Sequence, residues 1–219
     1  MFDRLPCVLV TAKGFPDLAT RVFLWRYQSS FPTVPLLALV DWNPSGLLIL
    51  RTYRSGSKAA ALESSRYALD VKWLGVRSRD LHHVPDAARI PLTDLDKAKI
   101  RNLLAAEGVN VDGGPPGEEE EEEQEQQLLS TATTSSSMFP RSVPGTHSTT
   151  ITTTPTPTPS CTTGVAGRQQ RTEHLVSELR EMYNTGTKAE IESLYPVDGV
   201  GGFDLSEFLI GKILHADYF

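Results

Sequence analysis

Cysteine is scarce in this chain of 219 residues, which has only Cys7 and Cys161. Two cysteines in unrelated contexts cannot form a disulfide framework, so a reduced, intracellular setting is expected. Long apolar runs are also missing, and the longest fall far short of the roughly 20 residues that span a membrane. The opening residues MFDR lack the shape of a signal peptide. We therefore expect a soluble protein without a membrane partner.

Positive charge is scarce outside the first half of the chain, although the net formal charge is −6. Residues 1–107 contain fifteen Lys and Arg against ten Asp and Glu, whereas residues 108–167 contain one Arg against eight acids. Residues 168–219 contain five basic and nine acidic residues. The first part is thus mildly basic, which permits a polyanionic partner such as nucleic acid without proving one.

The middle of the chain has too few apolar residues to form a core. Its sequence runs from GGPPG at 113–117 through six glutamates at 118–123 to TTTPTPTP at 152–159. Ordering such a segment costs about 1–2 kcal/mol per residue, and little burial offsets that cost. The composition predicts a disordered insertion over 108–170. It separates an α/β domain at 1–107 from C-terminal helices at 171–219, which we expect to pack back on that domain.

Strand and helix patterns alternate through residues 1–107. The apolar β-branched run CVLVTA predicts a buried strand, Asp17 and Thr93 are good helix N-caps, and PLLALV predicts a second strand. Such alternation is typical of a mostly parallel sheet flanked by helices. The predicted strands cover 7–12, 35–40 and 71–76, and the predicted helices cover 17–29, 44–54 and 93–106.

The remaining helices are expected after the insertion. Amphipathic patterns begin near Arg171 and are interrupted at residues 184–186. Asp204 is positioned to cap a last helix, whose apolar stripe we expect to pack on the sheet. The stripe consists of Leu205, Phe208, Leu209, Ile213 and Leu214.

The segment DWNPSG directly follows the predicted strand 35–40. Asp41 is expected at the carboxyl end of that strand, and Asn43 lies two residues further on. Pro44 suits the first turn of a helix, because its missing N–H is not needed there. Open α/β sheets bind ligands where strands end in this way. An alternative is that Asp41 only caps the helix entry together with Pro44, which would need no metal.

These segments resemble the Toprim domain of the topoisomerase VI A-subunit family, which includes meiotic proteins that cut both DNA strands. The resemblance rests on DWNPSGLLILRTYRSGS, VTAKGFPDLATR, VKWLGVRSRDL and IPLTDLDKAKIRNLL, with LREMYNTGTKAEIESL as a weaker match. Their order and spacing agree with the family. The resemblance implies a Toprim-like, Rossmann-like α/β fold.

The resemblance also implies a magnesium site at Asp41 and Asn43. The family uses an Asp-x-Asp pair with a glutamate on an earlier strand; Asn43 stands in place of the second acid, and no matching glutamate precedes CVLVTA. Magnesium binding is therefore expected to be weakened or lost. The nucleophilic tyrosine belongs to a preceding domain without a counterpart in this sequence. No catalytic residue is assigned, and the chain alone is expected to be inactive.

Five basic residues are expected to contact DNA if the resemblance holds. They lie near the predicted sheet edge, where we expect them to bind phosphates. The alternative is that they form an ordinary solvated surface. Lys13 lies in a turn after a strand, where backbone and ammonium groups can both meet a phosphate. The candidates are Lys13, Arg21, Arg54, Lys58 and Arg77.

The family's function implies double-stranded DNA as a partner, a nuclear and chromosomal location, and a homodimer or a complex with a topoisomerase VI B-like subunit. The implied reaction is an ATP-dependent type II topoisomerase or strand-break reaction that initiates meiotic recombination. A non-catalytic DNA-binding or scaffold protein of the same ancestry is the main alternative. An Asp-dependent phosphatase is a third, but Ser45 stands where that class has Thr or Val.

Overall fold

The computed structural model describes residues 5–56, 66–84, 86–109, 165–194 and 205–219. Short 3-10 helices cover Ser78–His83, Asp86–Ala88 and Ile191–Leu194. In chain order, the helices and strands are α1 (Leu18–Ser30), β1 (Leu36–Leu39), α2 (Pro44–Ser55), β2 (Val71–Gly75), β3 (Ile90–Pro91), α3 (Asp94–Ala106), α4 (Val165–Thr185), β4 (Thr187–Lys188) and α5 (Leu205–Leu214).

Strands β1 and β2 pair in parallel, as the sequence predicts for residues 35–40 and 71–76. The Val40 N–H donates to the Gly75 carbonyl at 2.8 Å, and the Val76 N–H donates to the Val40 carbonyl at 2.7 Å. These bonds continue the ladder beyond the end of β1. Helix α2 lies between the two strands in sequence, so the predicted α/β fold with a parallel sheet is confirmed.

The predicted strand at residues 7–12 is wrong. The segment has no strand structure, and Val8, Leu9 and Val10 are exposed. A strand requires a neighbouring backbone for its hydrogen bonds, and no described residue pairs with this segment. Its β-branched residues therefore do not suffice to form a strand, since β-propensity depends on the surroundings.

Helix caps explain where the predicted helices begin. Asp17 accepts a hydrogen bond from the Thr20 N–H at 2.7 Å, which starts α1. Thr93 and Asp96 form a reciprocal capping box that starts α3. Both helices lie within one or two residues of the predicted bounds, because caps are short-range signals.

The C-terminal helices pack against the first half of the chain. Helix α4 contacts α3 and the 3-10 helix Ser78–His83, and α5 contacts β2. Helix α4 begins before Arg171, where order was expected to return, and ends at the predicted break before Gly186, which has φ +66°. The sequence did not predict that β3 and β4 form a small antiparallel pair.

The first half of the chain and the C-terminal helices share one hydrophobic core, which contains the largest fully buried side chains. Trp42, Trp73, Leu179 and Met182 have no exposed surface. In the last helix, Phe208 and Leu209 of the predicted stripe are buried, but Leu214 is 68% exposed. Within the described ranges, no helix has the length and apolar character needed to cross a bilayer.

Part of the predicted domain organisation lies outside the described residues. Of the predicted insertion 108–170, residues 110–164 are not described, and neither are Lys58, Tyr195 and Asp204. The domain bounds at 107 and 171 stay predictions.

Candidate metal and nucleic-acid site

Asp41 lies two residues after β1, at the carboxyl end of the parallel pair. Its Oδ1 accepts a hydrogen bond from the Ile191 N–H at 2.9 Å. The first turn of α2 packs directly against the Asp41 backbone: a Cβ at Gly46 would lie 2.4 Å from the Asp41 carbonyl oxygen. Only glycine therefore fits at position 46. This close contact fixes the position of the Asp41 backbone relative to α2.

Asn43 is the N-cap of α2. Its Oδ1 accepts a hydrogen bond from the Gly46 N–H at 2.7 Å, and Pro44 occupies the first turn, as the sequence predicts. Asn43 therefore supplies the helix cap, whereas the Asp41 carboxylate accepts a hydrogen bond from the Ile191 backbone N–H. The two candidate ligands serve different structural roles.

Trp42 lies between these two residues and connects the end of β1 to residues 178 and 189 of the C-terminal part. Its carbonyl accepts from the Ala189 N–H at 2.9 Å, and its indole N–H donates to Glu178 Oε2 at 2.8 Å. Glu178 also accepts from the backbone N–H and the hydroxyl of Ser78, at 2.8 and 3.0 Å. Hydrogen bonds to Glu178 and to Ala189 thus fix the position of the strand tip.

The described residues do not by themselves fit a resident magnesium ion. One oxygen of Asp41 binds the Ile191 N–H, and the Asn43 oxygen serves as the helix cap. Among the residues that the structure describes, no group of three His, Cys, Asp or Glu side chains is placed to hold a metal. Magnesium needs near-octahedral oxygen coordination and commonly takes one or two carboxylates from the protein.

Of the predicted DNA-contacting residues, Lys13 is the one that the described structure leaves exposed. It occupies a turn with φ +56°, next to Gly14 with φ +126°. Arg21 is only 3% exposed, and its Nη2 donates to the Tyr67 carbonyl at 3.3 Å. Burial lowers the pKa of Arg21. Lys58 lies outside the described residues.

Arg54 connects helix α2 to the sheet and to the last residue of the chain. Its Nε donates to the Val71 carbonyl at 2.9 Å, and its Nη2 donates to the Phe219 carbonyl at 3.0 Å. Burial lowers the pKa of Arg54 to about 10, so it remains protonated at neutral pH. The guanidinium stabilises the packing of the 215–219 segment on β2.

Arg77 is 1% exposed and contacts the same segment. Its Nη2 lies 2.7 Å from Asp217 Oδ1 and donates to the Asp217 carbonyl at 2.9 Å, and its guanidinium lies 5.0 Å from the centre of the Phe219 ring. Burial lowers the pKa of Arg77, partly offset by Asp80. A phosphate would have to displace these partners, so DNA contact by Arg21, Arg54 and Arg77 stays a prediction.

The sequence reasoning missed a buried ionic cluster around Lys212. Lys212 Nζ lies 2.7 Å from Asp80 Oδ2 and 3.7 Å from Asp217 Oδ2, and it donates to the Leu74 carbonyl at 3.0 Å. One sequence signal could have revealed it: Lys212 interrupts the otherwise apolar stretch FLIGKIL. A lysine on a helix face that packs against a sheet needs a buried acidic partner.

No tyrosine is assigned as a nucleophile. Burial raises the pKa of Tyr53, which is the opposite of activation. Tyr27, Tyr67, Tyr183 and Tyr218 are half-buried, and Tyr195 is not described.

Residues 1–132 match the Toprim domain of the family that unites the topoisomerase 6 A-subunit with Spo11. The acid at the end of the parallel strand β1 and the capped helix that begins directly after it agree with this match. Because the match covers more than half of the sequence, the chain belongs to this topoisomerase 6 A-subunit/Spo11 family.

Individual relatives match about half of the chain. The chain is 48% identical over 107 residues to the meiotic recombination protein SPO11-2 of Arabidopsis thaliana, covering 49% of this chain and 28% of that protein. It is 40% identical over 116 residues to the A-subunit of DNA topoisomerase 6 from the same plant, covering 52% and 27%. Human SPO11 is 36% identical over 102 residues, covering 45% and 26%. The chain thus spans about a quarter of each relative's length.

Proposed function

We propose that this chain is the DNA-binding Toprim portion of a topoisomerase VI-like protein that makes the double-strand breaks initiating meiotic recombination. Two kinds of relative support the proposal, one named for meiotic recombination and the other for DNA topoisomerase. A nuclear and chromosomal location follows from the same role. Double-stranded DNA is the proposed substrate.

The observation that carries the proposal is the placement of Asp41 at the carboxyl end of β1. Parallel sheets bind ligands at this edge. Lys13 supplies an exposed ammonium group in a turn, which suits contact with a phosphate. The proposed task of this part of the protein is to hold DNA, and the cleavage step of the family, attack of a tyrosine on a DNA phosphate, has no assigned residue here.

Magnesium has a limited part in this proposal. Toprim domains generally bind Mg²⁺, but Asn43 replaces the second acid and its oxygen caps α2. We propose that Mg²⁺ still binds weakly through Asp41 if the chain serves a DNA-cleaving protein, and that this binding has been lost if the chain is non-catalytic. The proposed partners are a second copy of the chain or a topoisomerase VI B-like subunit.

A second candidate is a non-catalytic DNA-binding or scaffold protein of the same family. The helix-capping role of Asn43 favours it, because capping keeps the fold without requiring a metal. Both candidates predict DNA binding, but only the first predicts that magnesium strengthens it. Asp41→Asn separates them, since the amide can still accept from the Ile191 N–H while the negative charge is removed.

The experiment is a titration of labelled duplex DNA by fluorescence anisotropy at several salt concentrations, with and without magnesium. We expect Lys13→Gln to reduce the slope of log affinity against log salt by about 0.9, the value for one phosphate contact. Arg101→Gln, which removes an exposed charge on α3, is the matched control and should leave the slope unchanged. An identical slope for wild-type and Lys13→Gln would contradict the assignment of Lys13.

The magnesium arm uses the same titration. If the first candidate is correct, magnesium tightens binding by the wild-type chain and not by Asp41→Asn. If magnesium leaves both chains unaffected, the second candidate stands and the metal site is rejected.

A further inference from the structure

The carboxylate of Asp217 lies among three cationic side chains. Its Oδ1 is 2.7 Å from Arg77 Nη2 and forms an ion pair with Arg79 Nη2. Its Oδ2 is 3.7 Å from Lys212 Nζ. Three cations around one carboxylate are the surroundings that a phosphate group prefers, since its charge is larger and it has more oxygens to share.

Other acids nearby share in balancing this charge. Asp80 accepts from the Arg77 backbone N–H at 2.9 Å, lies 3.9 Å from Arg77 Nε and pairs with Lys212 at 2.7 Å. Glu178 is directed toward Ser78 and Trp42, and its charge also acts on Arg77 and Arg79. Because Arg77 and Lys212 are almost fully buried, loss of the Asp217 charge leaves positive charge that another anion can compensate.

An open cavity of about 340 Å³ adjoins the cluster. The cations Arg79 and Lys212 and the acids Asp80, Glu207 and Asp217 line it together with two histidines. A phosphate group has room to approach the cluster from this side. Arg79 is suited to first contact, because its side chain is 55% exposed.

Residues 215–219, which include Asp217, are held in part by backbone hydrogen bonds that water can replace. The Asp217 N–H donates to the Lys212 carbonyl at 2.8 Å, and the Phe219 N–H donates to the Trp73 carbonyl at 3.4 Å. Ala216 has φ +51°, a left-handed conformation that is strained for an L-residue. Asp217 itself is 29% exposed. The strain at Ala216 partly offsets the free energy gained when residues 215–219 pack on β2.

We propose that Arg77, Arg79 and Lys212 form a binding site for a phosphate oxyanion, and that Asp217 occupies this site as a built-in competitor. The site is separate from the strand tip at Asp41. It can bind a free phosphate or a nucleic-acid backbone, which present the same chemistry. The inference goes beyond DNA binding and does not depend on it.

The test is calorimetric titration of the full chain with inorganic pyrophosphate. Asp217→Asn removes the competing charge and keeps the shape, so we expect it to bind pyrophosphate at least about tenfold more tightly than wild-type. Asp86→Asn, the same change at an exposed acid on a 3-10 helix, should bind like wild-type. Adding Arg79→Gln to Asp217→Asn should remove most of the gain. A folded Asp217→Asn chain without tighter binding would overturn the proposal.

A second measurement uses wild-type protein and does not depend on the folding of a variant. Pyrophosphate that displaces Asp217 should speed amide exchange at Asp217 and Phe219, while Val76, bonded within the sheet, remains protected. Unchanged exchange at Asp217 and Phe219 in saturating pyrophosphate would reject the competition.

A third arm identifies the source of the phosphate. If duplex DNA displaces pyrophosphate from Asp217→Asn, the site serves a nucleic-acid backbone; if it does not, the site serves free phosphates. Absence of DNA binding by the wild-type chain, with pyrophosphate binding retained by Asp217→Asn, would reject the proposed function and leave this site intact.

Discussion

Lys212 shows how one charged residue can be held inside an apolar helix face. Its side chain is 6% exposed and interacts with Asp80, Asp217 and the Leu74 carbonyl. Burial lowers its pKa to about 8; Asp80 raises it in part, and the neighbouring Arg77 and Arg79 lower it further. The folded chain therefore holds this proton less tightly than the unfolded chain does.

The pH dependence of stability should report this difference. Between about pH 8 and 10.5, the unfolded state binds more protons at Lys212 than the folded state. The free energy of unfolding of wild-type should therefore rise with pH in this window relative to Lys212→Met. Below about pH 8, both states are protonated and the difference should be constant. Urea unfolding at a series of pH values measures it, and parallel curves up to pH 10.5 would contradict the lowered pKa.

Gly46 is the second residue whose environment decides its identity. Gly46→Ala would place a Cβ 2.4 Å from the Asp41 carbonyl oxygen, where neither backbone can move easily. We expect a loss of about 1–3 kcal/mol of stability, the usual cost of overpacking. Gly211→Ala in α5 meets nothing within 4 Å and should stabilise by roughly 0.5–1 kcal/mol. Thermal unfolding of both variants is the measurement, and equal effects would show that the close contact is absent.

At the scale of elements, the sequence predicted those features that depend on near neighbours. Caps at Asp17 and Thr93 act over three residues and Pro44 marks a first helical turn, so the starts of α1, α2 and α3 could be predicted, although the α2 cap is Asn43 and not Asp41. The strand expected at 7–12 depends on a partner backbone that sequence alone cannot supply. Local signals therefore sufficed for the helices and for the paired strands, and failed for this segment.

The start of α2 also offers a way to strengthen metal binding. Asn43→Asp keeps an N-cap oxygen, since Asp caps as well as Asn, and adds a second carboxylate near Asp41. We expect magnesium affinity, measured by calorimetry, to increase over wild-type. Asn43→Ser keeps the cap without charge and should bind no better than wild-type. Equal affinity in all three chains would show that the strand tip does not bind the metal.

At the scale of the whole molecule, contacts distant in sequence decide which charged residues are accessible. Arg54 and Arg77 are fixed by Phe219 and Asp217, far along the chain, and Trp42 is fixed by Glu178. Sequence spacing places these arginines near the sheet but cannot show that they are buried. The position of Asp41, by contrast, follows from the strand and helix that flank it.

The measurement that tests the central claim most directly is the affinity of the wild-type chain for duplex DNA as a function of salt. A Toprim portion that holds DNA should bind at about 50 mM salt and weaken steeply by about 200 mM, with a log–log slope of about −0.9 for each phosphate contact. Absence of binding at the lowest salt, or binding that salt does not change, would contradict a DNA-holding role for this chain.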